Sequence, residues 1–590
     1  MKITKAFFEN KDHQEAGKKA RDDIYTLLIK QADEQRKTLD FNSVYLSAYL
    51  LCKFNNSEYE SMTLDDVRNS QLDEDIKNYT IEIFNNETFQ NMMQLREKHT
   101  SEAFAMALLL PRIDGKSNMK SESIETNHSI NKLVDGILNI KDGEQVADFN
   151  TESSDFLVYS ALNQKNANYC GYSLNIKNTI ITKMRAELLE AESQCILGNV
   201  FYAAAEKYDK IFSFIPFAIK MQKERKEDII KMLSQENHYP KRGNPSVEWM
   251  MNMLIHNKLN DMGKAVSLVP CGILYRAPES NIRRYFVENQ LIESIIFLPC
   301  QILEDFGGNT ALVVISRNNE KIKMIDASKI YHQVNPRRQN VLTDEDADKI
   351  IDLYNLENVE EDVQLRKDVH IQEISSKNYQ LDVVDYFKKD FHFKNAVPFK
   401  SVIKKITRGM QTHAVNIKAL KSEMPTNMQY LQISDINNGI INDDLQYLKE
   451  AESIDEKYCV KNNSLIISKN APFKVAVAEV KNSKILASLN LYIIEIDQKK
   501  ANPYYLSALF NSTVGNILLS QAVRTSTIPI INMSDLKEIV IPLPPMERQN
   551  EIAEHFQIIT DKIKIYRMHL QKENEHLSHL IDEESDGLYE

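Results

Sequence analysis

Apolar and polar residues change rhythm along this chain. Up to residue 125 the apolar positions are interleaved with charges, and the two most apolar pieces are VYLSAYLLCKF (44–54) and SEAFAMALLLP (101–111). Neither alternates strictly, so both predict buried helix stripes, and residues 1–125 read as an N-terminal helical domain. From 126 to 335 short apolar runs alternate with helical stretches such as IKNTIITKMRAELLEA (176–191). The runs are EQVADFN (144–150), ANYCGYSL (167–174), SQCILGN (193–199), DKIFSFI (209–215), GKAVSLVP (263–270), IESIIFLP (292–299) and TALVVISR (310–317). Strand–helix alternation predicts a Rossmann-like, doubly wound α/β sheet, whose ligands sit beyond the carboxyl ends of the strands.

Residues 336–390 read as a linker with a helical bridge. In LTDEDADKIIDLYNL (342–356), Thr343 is placed to cap a helix whose first turn carries Asp344, Glu345 and Asp346. A third rhythm occupies 391–545: LQISDI (431–436), SLIISK (464–469), KVAVAEV (474–480) and LYIIEID (491–497) predict strands of an α+β domain, and Asn438–Gly439 predicts a hairpin turn. Residues 546–590 follow PLPP (542–545) as one long helix with an acidic tail. Its apolar positions Ile552, Phe556, Ile559, Ile563, Tyr566, Leu570, Leu577 and Leu580 form a heptad seam interrupted at Glu573, which predicts a coiled-coil-forming helix.

Composition narrows the classes. With 590 residues, 43% hydrophobic and 26% charged, the chain has the make-up of an ordinary globular protein of several domains. It has no apolar run of bilayer length and no secretory leader, and Cys52, Cys170, Cys195, Cys271, Cys300 and Cys459 form no C-x-x-C pair. Reduced thiols and a cytoplasmic protein without a metal site are expected. The phosphate-loop, H-E-x-x-H and G-x-S-x-G patterns are absent. Only 15 residues are glycine, so glycine-rich cofactor loops must be few. A net charge of −12 argues against general attraction to nucleic acid but leaves room for a local basic groove.

The order of VPCGILYRAPESNIRRYFVENQLIESIIFLP (269–299), KMIDAS (323–328), NVLTDEDADKIIDLY (340–354) and NYQL (378–381) resembles the methyltransferase subunit of type I restriction-modification systems. That resemblance implies a fold that binds S-adenosylmethionine and methylates adenine N6, through two motifs. The first, D-P-x-C-G-S-G-G, aligns with residues 148–155, where Asp148, Glu152, Ser154 and Asp155 stand in a stretch that has lost every glycine. Glycine permits the backbone angles and close approach the ligand needs, so bulk and negative charge are expected to block the donor pocket. Ser173, in GYSLN (171–175), stands where the family has an acid for the ribose. The second motif, N-P-P-F or N-P-P-Y, aligns with Phe214, Ile215, Pro216 and Phe217. Phenylalanine cannot accept the hydrogen bond from the adenine amine that the asparagine provides, although Phe217 keeps a stacking surface. No cofactor and no catalytic residue are therefore expected.

The second half resembles a target recognition domain of the type I specificity subunit, through YLQISDINNGIIND (430–443), NSLIISKNAPFKVAVAE (463–479), NPYYLSALFNS (502–512) and TSTIPIINMSDLKEIVIPLPPMERQNEIAEHF (525–556). Between 391 and 440 seven Lys/Arg face two acids. Lys400, Lys404, Lys405 and Arg408, with Lys469, Lys474 and Arg524, are expected to touch duplex DNA. The implied protein is a DNA-binding pseudo-methyltransferase that pairs through its last helix, with itself or with methyltransferase or restriction subunits. The alternatives are an active adenine-N6 DNA methyltransferase with divergent motifs and a protein scaffold in a defence complex.

Overall fold

The computed structural model describes residues 4–35, 41–53, 64–84, 86–110, 128–151, 154–191, 193–204, 206–217, 219, 221–240, 245–303, 306, 308–333, 340–357, 365–388, 391–411, 420–449, 456–480, 483–523 and 530–585. Two compact units divide it, Met1–Phe387 and Lys388–Glu590. Among the described residues no helix is long and apolar enough to cross a membrane, and no cluster of His, Cys, Asp and Glu could hold a metal ion.

Each apolar run of the first unit is a strand: β1 (Gln145–Asp148), β2 (Asn168–Ser173), β3 (Ser193–Leu197), β4 (Tyr208–Phe214), β5 (Leu259–Pro270), β6 (Ile292–Phe297) and β7 (Thr310–Ile315). Adding β8 (Lys321–Asp326) and β11 (Arg366–His370), with the small ribbon β9 (His332–Gln333) and β10 (Asn340–Val341) beside them, gives a nine-stranded sheet ordered β11-β8-β6-β7-β5-β4-β1-β2-β3. β3, β2, β1, β4 and β5 run parallel, β7 is antiparallel to β5 and β6, and β11 is antiparallel to β8. Alternation along β4 splits the interior. Phe212 and Phe214 enter one apolar core, shared with Leu46, Tyr49 and Phe104 of the N-terminal helices, while Ile211 enters the other, shared with Trp249. The chain leaves β1 toward β3 and returns to β4, so a crevice opens at the carboxyl ends of β1 and β4.

The stretch expected as a bridge, 336–390, is built into this unit up to Phe387. Thr343 caps the helix Asp344–Asn355 in a reciprocal box with Asp346, and that helix packs on His128–Leu138 through the Lys132–Asp348 ion pair. Arg366 of β11 donates to the carbonyls of Leu353, Tyr354 and Leu356 at the helix end, which fastens helix and edge strand together.

The second unit has two four-stranded sheets. Its strands are β12 (Ala396–Pro398), β13 (Ile403–Arg408), β14 (Met428–Leu431), β15 (Ile436–Asn437), β16 (Ile440–Ile441), β17 (Gln446–Tyr447), β18 (Cys459–Val460), β19 (Leu465–Ser468), β20 (Val475–Val477), β21 (Lys484–Ala487), β22 (Leu491–Ile496) and β23 (Val540–Pro542). One sheet is ordered β13-β22-β19-β20 and the other β17-β14-β21-β18. LQISDI is not one strand: the Asp435 carboxylate accepts the Gln432 N–H at 2.7 Å and turns the chain through Ile433–Asp435 before β15. The expected hairpin is present. Ile436 pairs with Ile441 around Asn438 and Gly439, both at positive φ, as a primed two-residue turn requires.

The last helix, Met546–Ser585, is anchored at its start. Gln549 is buried, accepts the Asn502 N–H at 2.9 Å and donates to the Pro544 carbonyl at 2.8 Å, which explains why a glutamine-bearing helix follows PLPP. Ala553 is buried, and Phe556 lies where a Cβ on Gly439 would approach its ring to 2.5 Å. Further along, Ile559, Tyr566, Leu570 and Leu577 are exposed, and the side chain of Leu580 lies outside the described residues.

Candidate functional site

The turn after β1 is stitched to its neighbours. Phe149 donates its N–H to the Phe212 carbonyl (2.9 Å), Thr151 to the Tyr172 carbonyl (2.8 Å) and Asn150 to Asp148 Oδ1 (3.1 Å). The Asn150 side-chain amide donates to the Phe214 carbonyl at 3.0 Å. Phe149 is buried with its ring edge-on to Tyr172 and Tyr208, whose hydroxyls lie 2.6 Å apart. Glu152 lies outside the described residues, and Ser154 adopts the left-handed conformation at φ 63°.

Asp155 corrects the expectation of an unpaired negative charge. It is buried and its Oδ1 sits 2.7 Å from Nη1 of the fully buried Arg185. A cavity of about 430 Å³ opens at the strand ends, lined among others by Phe149, Tyr172, Phe201, Ile215 and Met251. Ser173 does not line it. Its Oγ accepts the Asn175 N–H at 3.1 Å and is spent on that turn.

At the second motif, the Phe214 side chain is buried in the core and meets Phe217 edge-on, and Phe217 in turn meets Phe306 at 4.6 Å between ring centroids. Ile215 alone of the four motif positions lines the cavity, and Pro216 lies in the loop between. Phe217 is thus packed against two rings, which occupies part of the surface expected for stacking.

In the second unit the described basic residues differ in their partners. Lys400 is held by Glu538 at 2.8 Å. Lys404 and Lys405 are exposed on β13, and Lys405 lies opposite Glu495, which also binds Lys461 at 2.9 Å. Arg408 and Lys469 come together: burial and then the Arg408 charge lower the Lys469 pKa, and Arg408 Nε donates to the Leu489 carbonyl. Lys474 donates to Asn437 Oδ1 at 2.9 Å, beside the hairpin. Arg524 and Lys418 lie outside the described residues.

Comparison with known proteins bears on both units. Residues 117–392 match the family model of the N-6 DNA methylases, and residues 397–575 match that of the type I restriction modification DNA specificity domain. The chain thus matches an N-6 DNA methylase domain followed by a type I specificity domain. It is similar to the methylase subunit of the type I restriction enzyme MpnII from Mycoplasma pneumoniae, 24% identical over 38% of this chain and 40% of that protein. It is also similar to a putative type I restriction enzyme specificity subunit, MjaX, from Methanocaldococcus jannaschii, 36% identical over 14% of this chain and 19% of that protein. The matches thus span 40% or less of the length of these relatives. Among solved structures it is similar to a type I restriction-modification methyltransferase subunit from Streptococcus thermophilus, with TM-score 0.44, 18% identity, and 60% and 82% of the two chains covered.

S-adenosylmethionine carries a sulfonium and an ammonium charge, and its ribose diol needs acceptors. Among the described residues lining the cavity of the methylase-family domain there is no carboxylate; the charged one is Arg225. The N–H groups of Phe149, Asn150 and Thr151 are already bound within the protein. The described lining thus offers no carboxylate to the donor's cationic groups or its diol. Arg225 and Arg185 escape a motif-based reading of the sequence, because each sits on a helix outside any family phrase and acquires its meaning only through packing.

Proposed function

We propose that the protein is a DNA-binding pseudo-methyltransferase of a restriction-modification system. The observation that carries this reading is the fate of Phe214. At the position after β4 where the resemblance calls for an amide acceptor, the side chain is apolar and buried in the core. Without that acceptor the adenine amine gains no nucleophilicity, and loss of one such hydrogen bond to a reacting group costs roughly 10²–10³ in rate. Among the described residues the cavity lining holds no carboxylate for the donor's cationic groups and ribose, which supports loss of the donor side as well.

The specificity-family domain supplies the retained activity, recognition of duplex DNA. Exposed Lys404 and Lys405 and the adjacent Arg408 and Lys469 meet phosphates, while loops around the β15–β16 hairpin and Lys474 approach base edges. The exposed half of the last helix pairs with a second copy or with another subunit of the system.

Incubation of the full chain with tritiated S-adenosylmethionine and a random duplex library tests both halves of this reading. No label should enter DNA, while the same preparation binds duplex with an affinity that falls as salt rises. Label in DNA would restore the active adenine-N6 methyltransferase. Absence of binding at low salt would favour a scaffold.

A further inference from the structure

The cavity at the carboxyl ends of the parallel strands is open, and its lining suits a different ligand. Phe201 contributes an aromatic edge, and Ile215 and Met251 close the apolar wall, with Phe149 and Tyr172 buried behind them. Three amides, Asn150, Asn199 and Gln222, also line it. Asn199 Oδ1 is taken by the Phe201 N–H at 3.1 Å, which leaves its NH₂ group to donate, and Gln222 makes no side-chain cap bond to its own helix. Arg225, the charged residue of the lining, is exposed.

A flat heteroaromatic ring with hydrogen-bonding edges satisfies the aromatic and amide groups. A cation at the wall selects a ligand that bears an anion. A volume of about 430 Å³ lies within the range of small-molecule sites. Nucleotides bind in this place on open parallel sheets, where the strand order reverses. We infer that the first unit holds a nucleoside monophosphate in this cavity, with the base against Phe201 and the amides and the phosphate at Arg225. The inference rests on the reading above that the methyl donor has no place here. It assigns the cavity a ligand of opposite charge.

Calorimetric titration of the full chain with 5′-AMP, 5′-GMP, adenosine and S-adenosylmethionine tests it. At least one monophosphate should bind, and AMP should exceed adenosine by about tenfold or more, the worth of one charge-assisted contact. The exposed substitution Arg225→Glu should abolish that difference. Absence of binding by both monophosphates, or AMP affinity unaltered in Arg225→Glu, overturns this inference and leaves the pseudo-methyltransferase reading intact. Binding of S-adenosylmethionine to the same cavity, displaced by AMP, overturns that reading and this inference with it.

Discussion

Arg185 Nη1 and Asp155 Oδ1 meet at 2.7 Å, and both side chains are buried. The same guanidinium reaches the carbonyls of Leu108 (Nε, 2.9 Å) and Leu110 (Nη2, 2.7 Å) and the Tyr45 hydroxyl at 3.0 Å. The residue that ends the glycine-free turn therefore neutralises an arginine that fastens the N-terminal helices to the sheet. Asp155→Ala leaves that arginine buried without its counter-charge, which costs about 3–5 kcal/mol. Urea unfolding should show the loss as a lower midpoint. Asp155→Gly, which restores a family glycine, should cost as much and should not confer S-adenosylmethionine binding. A midpoint shift worth less than ~1 kcal/mol would show that the pair holds nothing.

A second buried contact makes stability depend on pH. His256 Nε2 lies 3.1 Å from Arg317 Nη1 and its Nδ1 lies 2.8 Å from the Tyr239 hydroxyl. Burial first, then the charges of Arg317 and Lys207, push its pKa down to about 4. The folded protein thus binds fewer protons at this site than the unfolded chain between pH 4 and the free value near 6.5. Its contribution is complete above pH 6.5 and is lost as pH falls through that window, at up to about 1.4 kcal/mol per pH unit. His256→Gln should flatten the unfolding free energy across this range relative to the parent. An unchanged slope would remove His256 as its source.

What the sequence revealed follows from how locally each feature is determined. The seven apolar runs of the first unit were legible because strands buried on both faces are continuously apolar, as Thr310–Ile315 is along its whole length. Thr343 and Asn438–Gly439 were legible because caps and tight turns are set by a few neighbouring residues. The edge strand β11 was not: RKDVH is mostly polar, and its place is fixed by pairing to β8 and by Arg366. The pairing of Asp155 was hidden for a related reason. The motif position suggested a negative charge at the donor pocket, but Asp155 turns inward to a partner thirty residues away in sequence. Long-range pairing of this kind leaves no local signature.

The basic residues separate by their partners, which makes their contributions to DNA binding unequal. Arg408 and Lys469 lie close enough to repel, an arrangement a phosphate between them would relieve. Arg408→Ala should lower affinity across all sequences and reduce the slope of log affinity against log salt by about one. Lys404→Glu with Lys405→Glu should weaken binding further through charge reversal on β13. Lys400→Ala should have the smallest effect, because Lys400 is already bound to Glu538. Filter binding at two salt concentrations ranks them. Equal effects at Lys400 and Arg408 would indicate that the charge of the unit as a whole, and not this arrangement, holds DNA.

The last helix divides into a half packed on its own unit and a half whose apolar positions are exposed. Ala553 is buried and Phe556 packs over Gly439, so Phe556→Ala should destabilise the second unit by roughly 1–3 kcal/mol without changing assembly. Ile559, Tyr566, Leu570 and Leu577 are 56%, 70%, 63% and 59% exposed and lie on one face at heptad-compatible spacing. Among the described residues of their own unit nothing covers that face, so the double substitution Tyr566→Asp with Leu570→Asp should leave the melting temperature of the unit unchanged. The same substitution should convert a dimer of the full chain to monomer in sedimentation, or release a co-purifying subunit. A parent protein that sediments as a monomer at all concentrations and binds no methyltransferase or restriction subunit would make the apolar face a surface without a partner, and the seam would then have no role in assembly.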